Sequence, residues 1–131
     1  MSGHKLIVTK AGNRVKSKAE AKVDDFFHDM GYHPIYEPII EIEGGLFTPD
    51  WVLLPQKELT KPVIVEYWGL LRKGNRADWV IKRLPQYIER KEIKETVYCN
   101  DARYDFLGIY PEDLKKLKKV FTKFLNNGID I

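Results

Sequence analysis

The sequence predicts an α/β fold, with a mixed, mainly antiparallel four-stranded sheet flanked by helices. Three observations carry that expectation. A chain of 131 residues with 44% hydrophobic and 31% charged residues has the size and composition of one domain around one core. Apolar residues recur at helical spacing near 17–30 and 111–125. Between these segments lie short runs rich in β-branched and aromatic residues, bounded by Gly, Pro and Asn. The expected order is β-α-β-β-β-α-β-α, forming a single domain over residues 1–131, with its core at about 15–110 and a C-terminal helix at about 111–125.

The first strand is Lys5 to Thr9, closed by Ala11, Gly12 and Asn13. Ser17 followed by Glu20 has the spacing of a capping box, and Ala19, Val23, Phe26, Phe27 and Met30 then repeat on one face until Gly31, which gives a helix over about 17–30. Ile35 to Ile42 and Leu46 to Leu54 read as a hairpin through Gly44 and Gly45. Pro62 to Trp68 is the third strand of this group, ended by Gly69. A second helix is expected from Asn75, carrying Ala77, Val80, Ile81, Leu84 and Tyr87 on one face and interrupted near Pro85. Glu95 to Cys99 reads as a strand. Pro111 to Leu125 is the last helix, with Leu114, Leu117, Val120, Phe121 and Phe124 as its buried stripe.

Composition excludes several classes. The apolar runs are far shorter than the roughly 20 residues that span a bilayer. The lone Cys99 and the absence of an apolar leader at Met1 to His4 fit a reducing compartment, so a cytoplasmic location is expected. His4, His28 and His33 lack partners at structural-zinc spacing, and no Walker pattern accompanies Gly44 and Gly45. Twenty-two Lys and Arg against 19 Asp and Glu leave a net charge of +3, mildly suited to a polyanionic partner.

The chemistry is expected at Asp50 and Glu66. In a symmetric hairpin centred on Glu58 these two residues face each other, with Cβ atoms about 4.5 to 5.5 Å apart. Two like charges there repel, and a hard divalent cation is a natural compensation, since Mg²⁺ takes one or two carboxylates and completes its shell with water and phosphate oxygens. The plainer reading makes Asp50 a turn residue after Pro49 and Glu66 a strand end at the surface. Glu20 borders the buried stripe of the first helix and adds a third carboxylate, although the capping box with Ser17 would account for it alone.

The Glu on the first helix (Ser17, Lys18, Ala19, Glu20), the Pro-Asp of the second core strand (Pro49, Asp50, Trp51) and the Glu near the end of the third (Val63 to Gly69, with Glu66) together resemble the PD-(D/E)xK nuclease superfamily. The resemblance covers roughly residues 15–100. Tyr36 and Glu37 before the Pro-Asp, with Lys82 and Tyr87 after the last acid, are similar to small phage, archaeal and viral members. One position departs from the pattern: two residues after the last acid, where the superfamily has Lys, stands Trp68.

The resemblance implies a restriction-endonuclease-like core and a metal-dependent DNA endonuclease that hydrolyses phosphodiester bonds with a metal-activated water. Asp50, Glu66 and the backbone of Tyr67 would hold Mg²⁺ or Mn²⁺, and Glu20 would bind a second ion or its water. Lys82 would replace the missing lysine, on a helix face it shares with Trp79, Arg83 and Gln86. Arg72, Lys73, Arg76, Arg83 and Gln86 would contact DNA phosphates. Cutting both strands would call for a two-fold homodimer. The rival is a degenerate module that has lost catalysis and keeps nucleic-acid binding or a scaffolding role. The lysines of the last helix, Lys115, Lys116, Lys118, Lys119 and Lys123, are read as a solvated face.

Overall fold

A computed structural model describes residues 6–71 and 83–129. In chain order the elements are β1 (Ile7–Val8), β2 (Arg14–Val15), α1 (Lys18–Asp29), β3 (Pro34–Tyr36), β4 (Ile40–Ile42), β5 (Gly45–Phe47), β6 (Trp51–Leu53), β7 (Val63–Tyr67), α2 (Leu84–Asn100), β8 (Asp105–Ile109) and α3 (Leu117–Ile129). Short 3₁₀ turns cover Gly69–Leu71 and Pro111–Lys116. The central sheet has the order β3-β6-β7-β8, antiparallel at its first two pairings and parallel at the third. A parallel neighbour needs a crossover, and α2 supplies it between β7 and β8. The α/β class and the mixed, mainly antiparallel four-stranded sheet therefore stand as the sequence predicts.

One long hairpin, broken in its middle, builds the edge of the sheet. Tyr36 pairs with Trp51 at the end of the β3–β6 ladder, and Ile40 pairs with Phe47 at the start of β4–β5. Three residues on each side separate the two ladders, so Pro38 lies opposite Pro49. Neither proline has an N–H to give, and the ladder lapses there. Beyond the break, Glu43 and Gly44 make the turn with φ of 53° and 79°, the left-handed pair that a two-residue hairpin requires. The expected strands Ile35–Ile42 and Leu46–Leu54 are thus each split in two, with Asp50 at the edge of the gap.

Alternation along β6 and β7 sorts the core into two layers. Trp51, Leu53, Val63 and Val65 pack with Val23 and Phe27 of α1 and with Leu117 and Phe121 of α3. Val52 and Ile64 point the other way, onto Tyr98 of α2 and Ile42 of the β4–β5 hairpin. Residues Val63 to Glu66 are buried without interruption, as a strand covered on both faces must be. Glu66 falls on the α2 face by the same alternation.

One expected element is corrected. Glu95 to Cys99 is not a strand but the last part of α2, which runs unbroken from Leu84 to Asn100. Its β-branched residues are accommodated: Thr96 Oγ1 donates to the Glu92 carbonyl at 2.9 Å, Lys91 pairs with Glu95 at 2.7 Å one turn on, and Tyr98 is fully buried. The fourth strand is instead Asp105–Ile109, whose Leu107 and Ile109 join the α1/α3 layer. Pro85 sits in the first turn of α2, where a missing N–H costs nothing. The proposed start at Asn75, with Ala77, Val80 and Ile81, lies outside the described residues.

Among the described residues no helix is long and apolar enough to cross a membrane. The α1/α3 layer carries one buried polar link, in which Asp24 accepts from Trp51 Nε1 at 2.9 Å and from Asn13 Nδ2 at 2.8 Å. Trp51→Phe removes one donor from a fully buried carboxylate, and urea denaturation should show a loss of about 1–3 kcal/mol. A change within about 0.5 kcal/mol, the range of an ordinary surface substitution, would refute this account of the link.

Candidate functional site

The register of β6 against β7 decides the site. Trp51 pairs with Val65, Val52 with Ile64 and Leu53 with Val63, which is the register of a hairpin centred on Glu58. One step beyond the ladder, Asp50 comes opposite Glu66. The proline break keeps Asp50 off a continuous strand: its carbonyl accepts from Glu37 N–H at 2.8 Å, while its Oδ2 takes the N–H of Tyr67 at 2.7 Å. The Asp50 carboxylate thereby replaces the ladder partner that Tyr67 would otherwise need.

The Asp50 and Glu66 carboxyls lie within hydrogen-bonding reach of one another. Glu66 is only 3% exposed, and burial together with the charge of Asp50 pushes its carboxyl up to about 8, against the pull of Lys94. Burial also raises Asp50, opposed by the Tyr67 N–H. The pair therefore shares a proton at neutral pH, because two charges so close and so dry cannot both persist uncompensated.

Helix α2 provides the compensation. Tyr87, Lys91, Lys94 and Tyr98 recur at i, i+4, i+7 and i+11 and form the stripe that faces the sheet. Lys94 Nζ stands 3.8 Å from Glu66 Oε2, and Tyr98 donates to the same oxygen at 3.1 Å. Burial and the neighbouring Glu66 hold the Tyr98 hydroxyl well above its ordinary range, so it remains a donor. Tyr87 is pushed up to about 12 by burial and by the charges of Asp50 and Glu66. Trp68, two residues after Glu66, is buried against Tyr87 at 6.3 Å between ring centroids, with Lys91 Nζ 5.4 Å from its own ring. Gly108 makes room for it, since a Cβ there would approach the indole nitrogen to 2.9 Å.

Glu20 makes a partial capping box. Its N–H is capped by Ser17 Oγ at 3.1 Å, and its Oε1 accepts from the Lys16 N–H and the Tyr36 hydroxyl, each at 2.9 Å. Its charge is felt at Asp50, so it sits at the rim of the pair. Among the described residues no group of three or more His, Cys, Asp and Glu side chains closes into a metal-binding cluster. What the fold brings together is the Asp50–Glu66 pair, with Lys94 and Tyr98 on it and Glu20 tethered beside it.

Lys82, Arg72, Lys73 and Arg76 lie outside the described residues, as does Trp79. Arg83 and Gln86 are exposed in the first turn of α2. Sequence reasoning passed over Lys94 and Tyr98, because reading Glu95 to Cys99 as a strand erased the stripe to which they belong. A larger cavity, about 750 Å³, opens beside α1 and Leu114 to Lys118, but Asp25 and Asp29 in its wall are engaged by Lys10 and no acid–base pair converges there. In comparisons with known proteins, no family model, curated protein or solved structure matches the chain.

The proton held by Glu66 makes stability depend on pH. The unfolded chain releases it near 4.5 and the folded chain near 8, so the folded state binds the extra proton between those values. Stability of the metal-free protein should therefore fall as pH rises through that window and level off above it. Thermal melts from pH 5 to pH 8 should show Tm declining by at least about 5 °C, and Glu66→Gln should flatten the decline. An unchanged slope in Glu66→Gln would show that the pair does not share a proton.

Proposed function

We propose that the chain is a metal-dependent DNA endonuclease that hydrolyses phosphodiester bonds. The observation that carries this reading is the convergence of the buried Glu66 carboxyl and the half-buried Asp50 carboxyl, with the ammonium of Lys94 beside them. The surplus negative charge of the pair fits a hard divalent ion, which replaces the shared proton and leaves open positions for water and phosphate oxygens. Bound there, Mg²⁺ or Mn²⁺ would lower the pKa of a water and stabilise the leaving oxygen.

The remaining roles fall to side chains. Asp50 and Glu66 would hold the ion, with the backbone of Tyr67 as a third contact, and Glu20 would hold a water or a second ion at the rim. Tyr98 fixes the Glu66 carboxylate by its hydrogen bond. Lys94 takes the part first assigned to Lys82: from α2 it reaches the carboxylate that the Trp68 position cannot serve, and it would orient the attacking water or balance phosphate charge. The order β3-β6-β7-β8, with the acids on the two central strands and a helix crossing from the third strand to the fourth, supports the restriction-endonuclease-like reading. DNA as the substrate and a two-fold homodimer as the working form belong to the same proposal.

Labelled single-stranded, duplex and branched DNA incubated in Mg²⁺ or Mn²⁺ tests it. Cleavage should require the metal and should fall by on the order of a hundredfold or more in Asp50→Asn and Glu66→Ala. Lys94→Ala should lose on the order of a hundredfold, with Lys94→Arg recovering part of it. DNA binding without cleavage by the native chain would favour the degenerate module. Cleavage unaffected by Glu66→Ala would refute the assignment of the site.

A further inference from the structure

A small cavity of about 100 Å³ is walled by Leu70, Arg83, Gln86, Tyr87 and Arg90. Arg83, Gln86 and Arg90 stand at i, i+3 and i+7 on one side of α2. Neither arginine has an anionic partner among the described residues, whereas Lys91 on the same helix is paired with Glu95. The cavity holds about three times the roughly 30 Å³ that a water occupies in the liquid, which is room for one tetrahedral oxyanion. Two guanidinium groups and an amide offer several N–H donors to such an anion. Tyr87 is common to both places: it lines the cavity and also feels the charges of Asp50 and Glu66.

We infer that this cavity is a subsite for a non-scissile phosphate of the nucleic-acid strand, held by Arg83 and Arg90 with Gln86 as a neutral donor. The inference rests on the proposed phosphodiester chemistry and adds to it a second point of attachment. With one phosphate in the Arg83–Arg90 fork, the neighbouring phosphate is directed past Tyr87 toward the carboxylates. Leu70, 48% exposed at the cavity's edge, gives an apolar lip beside the sugar.

The test separates binding from cutting. Affinity of the full chain for a short fluorescent DNA duplex is measured without divalent metal across a salt series, for the native protein, for Arg83→Gln with Arg90→Gln, and for Lys119→Gln with Lys123→Gln as an equal charge change on α3. The arginine pair should weaken binding at least tenfold and lower the slope of log affinity against log salt by about 0.9, the value for one phosphate contact. The lysine pair should change both less. Inorganic phosphate alone serves as a second probe of thermal stability.

Equal effects of the two pairs, or no binding by the native chain, would overturn the subsite. So would stabilisation by inorganic phosphate that the arginine pair abolishes while DNA affinity stays unchanged, since that describes a free-anion site. Cleavage by Glu66→Ala is read separately. Lost binding in the arginine pair from a protein that cuts nothing keeps the subsite and removes the nuclease, and normal binding in that pair from a protein that cuts does the reverse.

Discussion

Two carboxyl groups pressed together at the open end of a strand pair set the terms for the rest of the fold. Asp50 and Glu66 meet because β6 and β7 pair in one register and because Pro38 and Pro49 halt the neighbouring ladder one residue earlier. A slip of one residue would turn Glu66 into the apolar layer beneath α1, where nothing could satisfy it. The uninterrupted burial of Val63 to Val65 on both faces prevents that slip. The hydrophobic pattern thus holds in place an electrostatic arrangement that is unfavourable by itself, as functional sites commonly require.

The two faces of the sheet divide the labour. On one side α1 and α3 close an apolar layer rich in edge-to-face aromatics, including Phe27 on Phe121 at 5.4 Å and Tyr32 on Phe121 at 5.3 Å. On the other side α2 meets the sheet with a stripe whose members are Tyr, Lys, Lys and Tyr, and among these only Tyr98 is fully buried. Such a helix contributes less to stability than its length suggests, but its polar groups reach Glu66 and the cavity by its first turn. Apolar packing comes from the α1/α3 side and the polar contacts to Glu66 from the α2 side.

The central sheet and its acids were legible because their signals are local and periodic. Strand alternation and the hairpin centre at Glu58 were enough to face Asp50 with Glu66, and the cap at Ser17 marked the start of α1. What failed depended on long-range context. Thr96, Val97 and Tyr98 favour a strand in isolation, yet they continue a helix whose Tyr98 bonds Glu66, 32 residues back along the chain. A strand at Glu95 to Cys99 leaves Asp105–Ile109 no place in the sheet and Lys94 no helix to stand on. The Gly108 within that strand, which leaves space for Trp68, weakened its signal further.

Manganese binding offers the most direct test of the pair. Mn²⁺ titrated into the full chain at pH 8 and followed by electron paramagnetic resonance should saturate a site in the native protein, with affinity reduced at least tenfold in Asp50→Asn and in Glu66→Gln while both variants remain folded by circular dichroism. Equal binding by the native chain and both variants, or no binding by the native chain, would contradict the claim that Asp50 and Glu66 form a divalent-cation site.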